Sequence, residues 1–204
     1  MTDILWHFLI GMVVSFIGSI PLGSINLSTL QITLEKDTKA GLQFALGATL
    51  VELIYSFLAI KFSAYLLQNK DIGLYIQLVA IPAFILLSLY SFKKKNAAIK
   101  TNKVKNKSAF FKGIMLGFIN PLQIPFWVAY GTYMLSNGWI KNEHFLLNCF
   151  ILGIITGTYL LLSLVVFLSK LLDTHLNLSR FNINRILGYV FMALAVYQTI
   201  KLAL

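Results

Sequence analysis

Six long apolar segments, separated by short polar linkers, make up most of the chain. A bilayer core about 30 Å thick is crossed by about 20 helical residues. A helix satisfies its own backbone in lipid, and these segments lack the polar–apolar alternation of a membrane β-strand. The pattern therefore predicts an all-α, polytopic membrane protein with six transmembrane helices. The predicted spans run approximately over residues 4–30, 40–67, 72–92, 110–135, 145–172 and 183–204.

Proline and glycine interrupt the first and the fourth of these predicted helices. A proline inside a helix frees the carbonyl group four residues earlier, here those of Ile17 and Gly117. Freed carbonyls and half-helix ends can bind the ammonium and carboxylate groups of a substrate. A simple kink with a packing role is the alternative. The candidate substrate-binding residues at the two interruptions are Pro21, Gly23, Asn26, Asn120, Pro121 and Gln123.

A single acidic residue, Glu52, lies near the middle of the second predicted helix. A charged group there costs about 3 kcal/mol or more to insert, so it is expected to face the bundle interior or water. A carboxyl that gains and loses a proton at that depth suits a proton or cation coupling site. A structural carboxyl, bonded to a neighbouring helix, is the alternative. Small and polar residues share its helical face: Ala45, Ala48, Thr49, Tyr55, Ser56, Ala59 and Ser63.

The fifth predicted helix carries Gly153, Thr156, Gly157 and Thr158 but no carboxylate. Its Gly-x-x-x-Gly spacing permits close helix approach, so helix packing is favoured here over substrate contact. Thr156 is the candidate on this helix for contacting a substrate or coupling ion, as Tyr55 is on the second. A coupling carboxylate would therefore be present on the second predicted helix and absent from the fifth.

The two halves of the sequence resemble each other at an offset of 106–107 residues. Phe44-Ala-Leu-Gly47 matches Phe150-Ile-Leu-Gly153, and residues 84–94 match residues 191–201 at four positions. Three spans in each half would place the halves in opposite orientations, as in many secondary transporters. We therefore predict a single transmembrane domain, residues 1–204, built as a 3+3 inverted repeat. Chance similarity between apolar helices is the alternative.

The predicted domain has two repeats and a linker between them. Repeat one covers residues 1–92, repeat two covers residues 110–204, and a Lys-rich loop at residues 93–109 joins them. Thirteen of the 17 Lys and Arg residues lie on the side that holds this loop, so the positive-inside rule makes it cytoplasmic and places both termini outside. The net charge of +10 thus reflects topology and contact with anionic membrane lipid, and no nucleic-acid-binding motif accompanies it.

The sequence offers no catalytic constellation. The single cysteine, Cys149, rules out an intramolecular disulfide, and no Ser-His pair, HExxH motif or phosphate-binding loop is present. We therefore expect no enzyme activity, no cofactor and no metal site. A non-transporting membrane scaffold or assembly factor remains an alternative to a transporter.

Two motifs resemble those of the lysine-exporter (LysE/RhtB-type) amino-acid efflux family. The first is Pro21-Leu-Gly-Ser-Ile-Asn26 with Glu52 in the next span, and the second is the glycine-rich segment that ends in Asn120-Pro121. Leu122 stands where the family often has a basic residue. The resemblance implies an exporter of amino acids or related small metabolites in the bacterial inner membrane, driven by the membrane gradient. It leaves open the solute, the coupling ion and whether the chain forms a homo-oligomer.

Overall fold

The computed structural model is helical, without strands, over the residues that it describes. These are residues 2–20, 23–68, 81–82, 85–86, 88–89, 92–93, 108–120, 123–171, 188–189, 192–193, 195–197 and 199–200. The bounded helices are α1 (Thr2–Gly18), α2 (Ser24–Glu35), α3 (Thr38–Gln68), α4 (Ala109–Ile119), α5 (Gln123–Ser136) and α6 (His144–Phe167). The predicted all-α fold is confirmed.

The first and fourth predicted spans are each broken into two helices. The first divides into α1 and α2 around residues 19–23, and the fourth divides into α4 and α5 around residues 120–122. The two interruptions therefore occur where the sequence predicted them. Pro21 and Pro121 themselves lie outside the described residues, as does most of the Lys-rich loop.

The second and fifth spans are continuous helices, α3 and α6. Both are long and apolar enough to cross a membrane. At a rise of 1.5 Å per residue, the 31 residues of α3 extend about 46 Å and the 24 residues of α6 about 36 Å. Asp37 precedes α3 and accepts a hydrogen bond from the Ala40 amide at 2.7 Å, which satisfies one of the unpaired amides of the first turn.

Helix α1 packs against α6 through glycine, so that the two backbones touch. A β-carbon on Gly11 would overlap the carbonyl oxygen of Phe150. One on Gly153 would overlap that of Phe8, and one on Gly157 that of Met12. Contacts advance along both helices together, so α1 and α6 run parallel. The predicted role of the span-five glycines in close packing is thus borne out by the geometry.

Helix α4 packs against α3 in the same way. A β-carbon on Gly113 would overlap the carbonyl oxygen of Phe44, and one on Gly47 that of Phe110. Gly11 and Phe8 correspond to Gly113 and Phe110 at an offset of 102 residues, while α3 corresponds to α6 at an offset of 106. The two crossings are therefore built from matching residues, and the 3+3 inverted repeat stays a prediction.

On α3, polar side chains face inward and large apolar side chains face outward. Thr49, Glu52, Ser56 and Ser63 on α3 are buried, together with Ala45, Ala48 and Ala59. Leu50, Ile54, Phe57 and Leu58 on the same helix are exposed. This arrangement confirms the predicted interior face of α3, and it suits a protein whose surface meets lipid rather than water.

The contacts divide the chain into two compact units. The first holds residues 1–65 and 103–176, and the second holds residues 66–102 and 177–204. Within the second unit, the Ser88 hydroxyl donates to the Gly188 carbonyl at 2.8 Å, and the rings of Phe92 and Tyr189 pack edge to face. The third and sixth predicted spans therefore touch, although most of their residues lie outside the described set.

The start of α1 is joined to the linker that precedes α6. The Trp6 indole donates to the Trp139 carbonyl at 2.9 Å, and His7 accepts from the Lys141 amide at 2.8 Å. The other ring nitrogen of His7 lies 2.6 Å from the Asp3 carbonyl, so the neutral imidazole carries its proton there. Lys141 forms an ion pair with the Asp3 carboxylate at 2.7 Å. His7 is buried, and its ring bonds both the start of α1 and the linker before α6.

The Asp3–Lys141 pair should give a small, salt-sensitive stabilisation. The Lys141 hydrogen bond and charge lower the pKa of Asp3, and the same contact raises the pKa of Lys141. The stabilisation is thus present above the ordinary pKa of aspartate and disappears as pH falls through the lowered value. It also disappears when pH rises through the raised pKa of the lysine. We expect Asp3→Asn to lower the melting temperature in detergent by at most about 2 °C at pH 7.

The same comparison at high ionic strength tests the origin of that difference. Because both groups are solvent-exposed, 1 M salt should remove the difference between Asp3→Asn and the wild type. A difference that persists in 1 M salt would contradict an electrostatic origin.

Candidate functional site

The candidate site is a buried polar cluster where four helices meet. Glu52 is the fifteenth residue of α3, about 21 Å from its start, and only 5% of its surface is exposed. The Trp127 indole of α5 donates to its Oε1 atom at 3.2 Å. The Thr158 hydroxyl of α6 forms a side-chain hydrogen bond with the same carboxyl. Ser15 of α1 continues the cluster, since its Oγ lies 2.6 Å from Oγ1 of Thr158.

The sequence folds this way locally because each helix presents a small or polar residue to the junction. Glycine contacts bring the backbones of α1 and α6 together, and there the hydroxyls of Ser15 and Thr158 lie within hydrogen-bond distance of each other. Trp127 fills the remaining space from α5 and is itself 1% exposed. It packs edge to face with Phe126 and Phe150. The indole is therefore held in place by packing while its N–H points to Glu52.

Glu52 and Thr158 occupy equivalent positions in the two matching helices. The 106-residue offset that pairs Phe44 with Phe150 also pairs Glu52 with Thr158. In the predicted inverted repeat, two equivalent residues touch where the axis relating the two halves passes between them. That prediction therefore places the polar cluster on the axis, with a carboxyl from one half and a hydroxyl from the other.

The carboxyl is buried without a cation among the residues that the structure describes. Its described partners are Trp127 and Thr158, both of which are neutral. Burying an ionised carboxylate without a counter-charge costs several kcal/mol, so such a group gains either a proton or a bound cation. The arrangement can therefore hold a transferable positive charge between α3 and α6.

Several predicted site residues instead close the two helix breaks. The amides of Ile20 and Asn120 each donate, at 3.1 Å, to the carbonyls that the prolines were predicted to free, those of Ile17 and Gly117. The Asn26 side chain donates to the Ser19 carbonyl at 2.7 Å. These carbonyls thus already accept one hydrogen bond each in this structure.

Tyr55 makes a comparable contact at the second break. Its hydroxyl donates to the Phe118 carbonyl at 2.9 Å, one turn before α5 begins, and its ring packs against that of Phe118. Tyr55 is therefore turned toward the break and is not joined to Glu52.

No hydrogen bond described for the remaining predicted residues reaches Glu52. Gly23 precedes α2 in extended backbone conformation, and Gln123 begins α5. The Thr156 hydroxyl donates to the Leu152 carbonyl of its own helix at 2.8 Å. Of the nine residues proposed from the sequence, the described cluster contains Glu52, and its partners Trp127, Thr158 and Ser15 were not among the nine.

Four buried oxygen atoms have no hydrogen-bond partner among the described residues. They belong to Ser28, Gln123, Thr132 and Ser163, on α2, α5 and α6. Leaving such a group unpaired costs about 1–3 kcal/mol, so buried polar atoms usually bond water or a ligand when they lack a protein partner. These four oxygens are therefore available inside the helical bundle to bond water or a ligand.

Comparison with known protein families identifies the chain. The family model of LysE type translocators matches residues 16–201. The chain belongs to the LysE type translocator family. Membership confirms the resemblance noted in the sequence, and it makes the chain an integral membrane transporter of amino acids or similar small molecules. The match covers both helix breaks, Glu52 and Thr158. No curated protein and no solved structure matches the chain.

Proposed function

We propose that this LysE-family chain is a secondary transporter that exports amino acids or related small metabolites across the bacterial inner membrane, driven by an ion gradient. The observation that carries the proposal is Glu52, a buried carboxyl with only neutral partners among the described residues. Ionisable groups inside a membrane mark ion pathways and proton relays far more often than structural sites. A gradient-driven carrier needs one such group to take up and release a cation in each cycle.

The solute path is proposed to run along the two helix breaks. Gln123 and Ser28 contribute buried oxygens without a described partner, on the helices that follow the two breaks. An amino acid carries an ammonium group that could bond such oxygens. We propose that Pro21, Gly23, Asn26, Asn120, Pro121, Gln123, Tyr55 and Thr156 shape or line this path.

The proposed cycle uses the equivalence of the two repeats. Glycine contacts join each broken span to a continuous helix of the other repeat. A 3+3 inverted repeat could therefore move one repeat against the other around the axis that passes near Glu52. With the lysine-rich side cytoplasmic, both termini would lie outside the cell.

Proteoliposomes provide the direct test. Purified protein would be reconstituted and loaded with single labelled amino acids, and efflux would be followed with an imposed pH gradient, an imposed sodium gradient or neither. We expect at least one amino acid to leave about tenfold faster with one of the two gradients than without. Empty liposomes serve as the control.

The outcomes separate the proposal from the scaffold alternative. If folded protein moves a solute only down its own gradient, ion coupling is refuted while transport stands. If no amino acid, dipeptide or related amine leaves faster than from empty liposomes, the transport proposal is refuted and a scaffold role becomes the better explanation.

A further inference from the structure

Three polar groups form a continuous chain from the middle of α3 to α1. Glu52 bonds the Thr158 hydroxyl, and Thr158 bonds the Ser15 hydroxyl at 2.6 Å. All three residues are at least nine-tenths buried. Ser15 lies one turn before the end of α1, next to the first helix break, and its carbonyl accepts from the Ser19 amide within that break. This hydrogen-bonded chain thus connects the buried carboxyl on α3 to α1, the first helix of the broken first span.

The direction of the hydrogen bonds in this chain depends on the charge of Glu52. Each hydroxyl can donate only one hydrogen bond. When the carboxyl is ionised it can only accept, so Thr158 donates to Glu52 and Ser15 donates to Thr158. When the carboxyl is protonated it can donate to Thr158, which leaves the Thr158 proton free to point toward Ser15. Ser15 must then donate elsewhere, and the carbonyls of its own helix are the nearest class of acceptor.

We propose that Thr158 and Ser15 are positioning residues that transmit the protonation state of Glu52 to the broken helix α1. This inference rests on the proposed function, because it assumes that Glu52 changes charge during a transport cycle. It assigns a coupling role to Ser15 of α1 and Thr158 of α6, beside the carboxyl on α3. It also explains why the residue at the position equivalent to Glu52 carries a hydroxyl.

The surroundings of Glu52 leave few other groups that could perform this role. Trp127, on α5, is the other described donor, and an indole N–H cannot reverse its direction. Around the carboxyl, α1 contributes Ser15, α5 contributes Trp127 and α6 contributes Thr158. None of the three titrates near neutral pH, and no charged side chain of the described residues affects the carboxyl.

The test uses full-length protein and measures protonation and transport separately. Infrared absorption of the carboxylic acid C=O group, with Glu52→Gln as the blank, would follow the titration of Glu52. Efflux from proteoliposomes would give the pH of half-maximal transport. Thr158→Val keeps the side-chain shape without the hydroxyl, Thr158→Ser restores the hydroxyl, and Ser15→Ala removes the second one. Thr29→Val is the matched control, since Thr29 is equally buried and, among the described residues, its hydroxyl bonds the Ile25 carbonyl of its own helix.

Removing the Thr158 hydroxyl takes one donor from the ionised carboxylate. We expect Thr158→Val to move the infrared midpoint and the transport midpoint about one pH unit toward alkaline values, because a hydrogen bond to a charged group has about that effect. Ser15→Ala should move both in the same direction by less. Thr158→Ser should return both to within about 0.3 unit of the wild type, a margin well below that effect, and Thr29→Val should change neither.

Each result decides the question. Unchanged midpoints in both folded Thr158→Val and Ser15→Ala overturn the inference, even if the wild type transports normally. If Thr158→Val fails to fold, Ser15→Ala alone decides, and a wild-type midpoint in that variant overturns the inference. If the infrared midpoints shift but the wild type moves no solute, the hydrogen-bonded chain stands and the proposed transport function fails.

Discussion

Replacing Glu52 with glutamine is expected to lower gradient-driven efflux at least tenfold, because the amide cannot take up or release a proton or bind a cation through charge. Glutamine has the same shape as glutamate, and its carbonyl can still accept from the Trp127 indole. Its amide can donate to Thr158, as a protonated carboxyl would. The variant should therefore behave like a protein in which the Glu52 carboxyl is always protonated.

Folding and solute binding should survive this substitution. Removing an ionisable group from the interior of a membrane protein lowers the cost of insertion, so Glu52→Gln should purify at least as well as the wild type. Exchange of labelled for unlabelled solute, which needs no net ion movement, should be retained. Glu35→Gln is the matched control, because Glu35 is exposed at the end of α2 and bonds Gln31.

Proteoliposome efflux with and without the driving gradient, together with exchange, measures these expectations. Equal gradient-driven efflux for Glu52→Gln and wild type, over the whole range of external pH, would remove the coupling role. Loss of both efflux and exchange in a folded variant would instead make Glu52 part of the solute site.

The sequence was sufficient for the membrane assignment and for the inner face of α3. Both depend on the period of the helix and on the high cost of a charge in lipid, which are local properties of the chain. The same local logic located the two breaks, because proline and glycine act on their own helix. The buried residues around Glu52 followed from those rules without any knowledge of neighbouring helices.

The other members of the polar cluster were beyond the sequence because they come from three other helices. Trp127 was not among the predicted site residues, although its indole lies buried against the carboxyl. On the fifth span the predicted site residue was Thr156, whereas Thr158 is the residue that bonds Glu52. The two threonines differ by about 200° around the helix, and hydropathy alone does not give the direction of a neighbouring helix.

One signal in the sequence could have found the axis of the repeat. Phe8, Gly11, Phe16 and Ile17 recur at the same spacing in residues 110–119, at an offset of 102 residues. A single offset near 106 does not align these residues, because the connection between the first two spans differs by four residues between the two halves. The 106-residue offset already makes Glu52 and Thr158 equivalent positions, and the separate 102-residue offset adds the matching glycine positions of the broken spans.

Replacing Gly113 with leucine should prevent α3 and α4 from packing, with a loss of about 3 kcal/mol in the free energy of unfolding. A β-carbon at this position would overlap the Phe44 carbonyl oxygen and lie 2.9 Å from the Ala48 amide nitrogen. Backbone atoms cannot change rotamer to relieve such a contact. The reciprocal contact of Gly47 with the Phe110 carbonyl holds the two helices at this distance, so α4 would have to move away as a whole.

The equivalence of the two crossings makes this prediction stronger than a test of one glycine. Gly11 makes the corresponding contact with the Phe150 carbonyl, so Gly11→Leu should reduce folded protein as much as Gly113→Leu. Gly138→Asn is the control, because a β-carbon there meets nothing within 4 Å and asparagine tolerates its φ of 70°. Fluorescence-detected size-exclusion chromatography in mild detergent would measure the monodisperse fraction of each variant.

If either leucine variant elutes like the wild type, its helix pair does not depend on backbone contact. If the two variants differ strongly, the crossings are not energetically equivalent and the symmetric placement of Glu52 and Thr158 loses its main support.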